Sequence, residues 1–218
     1  MKNKLLDKIF SAAIIGLAVT LCFFATSCTS KINISLNKDG SIDVQFKGTS
    51  GIAFETLIKT ASGVKDGEVV FDANEIEYEL GKNGFSNVKA SSKTGMDLSI
   101  SMSDKTKQSS LYKSDVLKTD KSSITATLSA KKLLDFYNSS DEEIVSFLDL
   151  LLAPVFNEEV LSETEYIETI AAFYGQAAAD ELAESSFNVT LITPDGKSSL
   201  HVIPMVKLLT LNETLILR

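Results

Sequence analysis

The chain has 218 residues, 44% of them hydrophobic and 23% charged, with 11 Gly and 3 Pro, a balance that excludes disordered, collagen-like and low-complexity proteins. Two Cys and one His, His201, are too few for a disulfide-stapled scaffold or a four-Cys zinc site, and they leave little material for haem or Ser-His-Asp chemistry. The net charge of −8 comes without a basic run, which argues against a chain that neutralises nucleic-acid phosphates.

At the N-terminus, Lys2, Lys4 and Lys8 precede an apolar run from Ile9 to Ala25, which gives way to Thr26, Ser27 and Cys28. A basic region followed by an apolar one is the pattern of an export signal. At 17 residues this stretch stands at the short limit for a membrane-spanning helix. The small residues before Cys28 also differ from the charged or aromatic flanks of a true span.

The segment FFATSC resembles the lipobox of bacterial lipoproteins, in the relaxed form tolerated in spirochaetes, without the usual Leu three residues before the Cys. The resemblance implies a diacylglyceryl group on the Cys28 thiol and cleavage before Cys28, making residues 1–27 a signal peptide. One acyl chain holds a protein only marginally, at ~0.8 kcal/mol per buried CH₂, so two or three are needed for stable attachment. Cys22 would be discarded with the leader. The mature charge becomes −10, because the leader removes Lys2, Lys4, Lys8 and Asp7. Thr29 stands where Asp would signal inner-membrane retention in the enterobacterial system, so the same resemblance favours the outer membrane. Residues 28–30 form the lipidated Cys and a tether of only ~10 Å, which would keep the domain close against the lipid.

Residues 31–218 read as a single α+β domain, with any subdomain boundary falling near 103–122. Ile32, Ile34 and Leu36 alternate with polar residues, Asn37-Lys38-Asp39-Gly40 supplies turn chemistry, and Ile42, Val44 and Phe46 alternate again, predicting a β-hairpin. Gly51 to Ser62 reads as a helix through Ile52, Leu57, Ile58 and Ala61. Asp72 and Glu75 cap a second helix, Ala73 to Lys82, stopped by Asn83-Gly84. Strands follow at Asn87–Ser91 and Met96–Met102, and the polar stretch Ser103–Ser110 reads as a mobile surface loop or a subdomain boundary. Ile124, Ala126 and Leu128 form another strand, which enters a helix at Ser129.

The hairpin turn Asp39-Gly40-Ser41, the helix, and Gly84-Phe85 with Val88 before a strand resemble the small exported domain of LppM-type lipoproteins, over Lys31 to about Met102. That resemblance implies an α+β module linked to envelope glycolipid. It transfers no ligand-contact residue, since the matching positions are structural.

In the second half, capping boxes at Ser140/Glu143 and Ser162/Glu165 open two helices, with Pro154 ending or kinking the first. The later helix is expected to run from Thr164 to Glu184. Ala171, Gly175 and Ala179 lie along one side of it, and Gly175 is expected to face a close neighbour. Phe187–Leu191 and Leu200–Ile203 make a hairpin about Thr193-Pro194-Asp195-Gly196, and Val206–Leu211 with Thr214–Leu217 read as a closing hairpin.

Ile144 to Phe156 is the most apolar segment of the mature chain. Over residues 144–152 its apolar side chains cover about 220° of a helix, against about 100° for an ordinary surface helix. Burial between a sheet and another helix is the bland explanation. The functional one makes Ile144, Phe147, Leu148, Leu151, Leu152 and Phe156 an apolar ligand wall or a membrane contact. Carboxylates between Asp141 and Glu184 have the spacing of helix caps and solvated faces rather than of a catalytic pair. Asp39-Gly-Ser-Ile-Asp43 lacks the remaining ligands of a calcium loop.

The expected architecture is therefore α+β, a mainly antiparallel sheet with helices packed on one face and a helical insertion in the second half. The expected role is that of a lipid-anchored, non-enzymatic envelope protein with a structural or interaction function, with no catalytic residue, metal or cofactor. Its partners would be the membrane, through the lipid on Cys28, and lipid or another envelope protein, but not nucleic acid. Carriage of an apolar ligand along the 144–156 helix is the alternative.

Overall fold

A computed structural model describes residues 30–62, 71–93, 97–139 and 161–218. The architecture is α+β, with a six-stranded, mainly antiparallel sheet, a three-stranded sheet and helices.

Alternation builds the large sheet. β1 (Ser30–Leu36) and β2 (Ile42–Gly48) form the expected hairpin, placing Ile32, Ile34, Leu36, Ile42, Val44 and Phe46 on one buried face. α1 (Ile52–Ser62) follows, then α2 (Ala73–Lys82), where the Asp72 carboxylate accepts the N–H groups of Asn74 and Glu75. β3 (Ser86–Ser92) and β4 (Leu98–Asp104) extend the sheet beyond β2. β7 (Ser186–Ile192) and β8 (Ser198–Pro204) complete it on the other side, giving the order β3-β4-β2-β1-β7-β8. All neighbours are antiparallel except β1 and β7, which run parallel from Ser30 opposite Phe187 to Ser35 opposite Ile192.

The small sheet is β5 (Leu117–Thr119), β6 (Ile124–Leu128) and β9 (Leu215–Leu217), with β6 central. A short α3 (Ser110–Lys113) precedes it, and α4 (Ala130–Ser139) leaves β6 at the expected Ser129, whose hydroxyl accepts the Lys132 N–H.

The helices cover one face of the large sheet. A single core joins its inward side chains to Phe54 of α1, Ile76 and Leu80 of α2, and Leu117, Ile124, Ala126 and Leu217 of the small sheet. The same core takes in Tyr166 and Ile170 of α5 (Glu163–Tyr174), Ala179 and Leu182 of α6 (Gln176–Glu184), and Leu208 and Leu209 of α7 (Met205–Leu209). The opposite face is polar at its centre, with Lys31, Asn33, Asp43, Gln45, Lys47 and Ser101 exposed or half-buried. Toward the β8 edge it becomes apolar, where Leu200 and Val202 are 62% and 60% exposed.

α1 forms where expected, with Ile52 83% exposed and Phe54 as its buried anchor. Four expectations are corrected. The helix over 164–184 is two helices, broken at Gly175, whose φ of +90° and ψ of 160° suit glycine almost alone. No atom lies within 4 Å of where a Cβ would stand there, so backbone conformation, not a close neighbour, selects the glycine. Residues 206–217 are not a hairpin: Met205, Val206, Leu208 and Leu209 are all buried in helical spacing, and Leu215–Leu217 pairs with β6 instead. A strand through them would have turned alternate apolar side chains outward.

The fourth correction concerns residues 103–110, which are tightly organised rather than loose. Asp104 is 0% exposed, and its carboxylate accepts the N–H groups of Thr106 at 2.8 Å, Lys107 at 2.7 Å and Ser109 at 2.9 Å. Burial acts to raise its pKa, but Ser109 and the Thr106 and Lys107 N–H groups outweigh that and hold it below the usual carboxylate range. The Thr106 hydroxyl also approaches the carboxylate, at 3.3 Å, and the three N–H groups make the shorter contacts. The loop presses against the α2–β3 turn, where a Cβ on Gly84 would meet the Gln108 carbonyl oxygen at 2.6 Å.

Candidate functional site

Cys28 and the segment from Ile144 to Phe156 lie outside the described residues. The point where the chain enters the domain is described. β1 begins at Ser30, one residue earlier than its alternation implies, and Ser30 is 0% exposed, opposite Phe187 of β7. Among the described residues no helix is long and apolar enough to cross a membrane.

The carboxylates of the second half that are described perform structural work. Glu165 and Ser162 form the reciprocal capping box of α5, at 2.8 Å from the Ser162 N–H. Hydrogen bonds from the Ser162 backbone and hydroxyl lower the Glu165 pKa. Glu181 of α6 reaches across to α1, accepting the N–H groups of Ala53 at 2.9 Å and Phe54 at 3.1 Å, so it caps a helix that begins about 130 residues earlier in the chain. Asp180 accepts from Gln176 within its own helix. His201 is half-buried on β8, with Nε2 3.1 Å from the backbone oxygen of Arg218. Asp39 accepts from the N–H and hydroxyl of Ser41 in the hairpin turn, as a turn aspartate does. No group of three or more His, Cys, Asp or Glu with metal-binding placement occurs among the described residues.

A site absent from the sequence reading lies at the other end of β1 from Ser30. The β1–β2 turn, the β7–β8 turn, the β5–β6 turn and Arg218 beyond β9 surround a cleft of about 800 Å³. Lys38, Lys121, Lys197 and Arg218 line it, with the hydroxyl residues Thr193, Ser122, Ser198 and Ser199 between them and Leu191 and Ile124 contributing apolar surface. Asp195 is its one acidic lining residue, and its carboxylate is engaged by the Thr193 hydroxyl at 2.5 Å and Lys197 Nζ at 2.8 Å. Hydrogen bonding to Lys197 and Thr193 pulls the Asp195 pKa down, and the same contact raises that of Lys197. Asp120, beside Lys121, is turned into its own turn by Ser122 and Ser123, whose hydroxyl and N–H groups lower its pKa to about 2. Each turn carries a recognisable turn sequence, but only the β1–β7 pairing and the docking of the small sheet bring them together.

No family model matches the chain, and no curated protein or solved structure matches it either.

Proposed function

We propose that this chain is an exported lipoprotein whose acylated Cys28 holds an α+β domain directly on the bilayer, where it serves a non-enzymatic structural or interaction role. What supports the reading is the entry of β1: a basic and apolar leader ends at Cys28, and two residues later the buried Ser30 is already hydrogen-bonded into the sheet. Thr29 is then the whole spacer between the acylated Cys and the sheet. A net charge of −8 gives anionic headgroups little to attract overall, so in this reading the lipid is the grip and charge is not. Thr29 favours an outer-membrane destination through the sorting resemblance.

The test is metabolic labelling of cells with a palmitate analogue, comparing the wild type with Cys28→Ala. The wild type is expected to carry label and to sediment with membranes, and the variant to lose both. Unlabelled wild-type protein, or protein that keeps residues 1–27, overturns the proposal.

A further inference from the structure

The cationic cleft is assigned no role by the lipid anchor, and we propose that it binds a small soluble polyanion carrying phosphate or carboxylate groups. Three turns distant in sequence deliver Lys38, Lys121 and Lys197 to it, and Arg218 joins them from beyond β9, in a protein whose net charge is −8. Among the described residues Lys38, Lys121 and Arg218 have no acidic partner within ion-pair distance, and Lys197 has only Asp195. The neighbouring carboxylates of Asp39 and Asp120 accept hydrogen bonds from their own turns and do not line the cleft. An incoming ligand therefore meets ammonium, guanidinium and hydroxyl groups, and a single carboxylate, Asp195, already engaged by Lys197 and Thr193.

Gathering like charges around one concavity costs electrostatic energy, which a bound anion offsets, and a cleft focuses that field more than a flat surface does. Flexible lysines from separate loops suit several anionic groups spread over one ligand better than a single bidentate carboxylate. The choice of a soluble ligand over a headgroup of the anchoring bilayer rests on the lipoprotein reading: the seven residues of β1 separate Ser30 from the cleft by about 23 Å of strand.

The experiment is calorimetric titration of the purified full chain in non-ionic detergent with inorganic pyrophosphate and with citrate. It is run at about 20 mM salt, where screening reaches over roughly 20 Å, and repeated at about 0.3 M. Submillimolar binding that weakens at least tenfold at the higher salt is expected. Lys38→Gln and Lys121→Gln are each expected to weaken it about three- to tenfold, and the two combined with Lys197→Gln about a hundredfold, in line with lost charge-assisted contacts at an exposed site. All three lysines are exposed, so circular dichroism and Tm should match the wild type, and Lys89→Gln on the outer part of β3 should bind normally. No binding by the wild type, binding by the triple variant within twofold of it, or equal loss in Lys89→Gln overturns the proposal. Lysine-dependent binding to phosphatidylglycerol vesicles without pyrophosphate binding also overturns it and assigns the face to a membrane. Failure of the Cys28 labelling would remove the anchor and leave these outcomes readable.

Discussion

Replacing Asp104 by Ala should be among the most damaging single changes outside the apolar core. The carboxylate holds three backbone N–H groups, and the Ser109 N–H that it accepts at 2.9 Å is itself buried. A hydrogen bond to a charged group contributes about 1.5–3 kcal/mol, and a buried donor left without a partner loses the whole of that. The Thr106 and Lys107 N–H groups lie nearer the surface and can recover water, so each adds about 0.5 kcal/mol. The sum is a loss of about 3 kcal/mol, equivalent to about 6–12 °C in Tm for a chain of this size. Urea unfolding followed by far-UV circular dichroism measures it, since the protein has no Trp. The pH dependence adds a second readout. The Asp104 pKa is lower in the folded protein than in the unfolded chain. Its contribution is therefore complete above the ordinary carboxyl pKa of about 3.9 and disappears as pH falls through the folded value. The gap between wild type and variant should narrow on going from pH 5 toward pH 2. A variant within 0.5 kcal/mol of the wild type at neutral pH, as surface substitutions usually are, or a gap constant with pH, would refute the reasoning.

Two further substitutions probe the helices. Glu181→Ala uncovers the Ala53 and Phe54 N–H groups at the start of α1 and should cost about 1–2 kcal/mol in urea unfolding, as lost caps do; an unchanged midpoint would show that water replaces the carboxylate. Gly175→Ala meets no steric obstacle but forces a side chain into φ +90°, so a loss of about 1–3 kcal/mol is expected, and a rise in Tm would mean that the α5–α6 break can close into a continuous helix.

Much of this fold is legible in the sequence because strict alternation and caps are local signals. Ile32-x-Ile34-x-Leu36 and its partner across Asp39-Gly40 place the first hairpin within two residues, and Ser162 with Glu165 marks the start of α5. Where apolar residues are consecutive the signal fails: Met205 to Leu209 fits a buried helix as well as a strand, and only the core around α6 decides. Gly175 is visible as a glycine, but its dihedral angles are not. Asp104 reads as one more polar residue among SDKTKQSS, because the N–H groups that bury it belong to the folded backbone. The cleft was illegible for a topological reason. Lys38 and Lys197 become neighbours only because β1 and β7 lie side by side and end together, a pairing with no signature in either strand.

That parallel pair also governs the order of assembly. During synthesis β1 emerges early and finds β2 at once, but its other edge stays bare until residue 192 has left the ribosome. Closing a contact across so much chain is entropically slow, and fold completion should lag well behind translation. An open strand edge in a nascent polypeptide invites intermolecular pairing while it waits. If it is exported as proposed, the same delay keeps the chain threadable through a secretion channel that rejects finished domains.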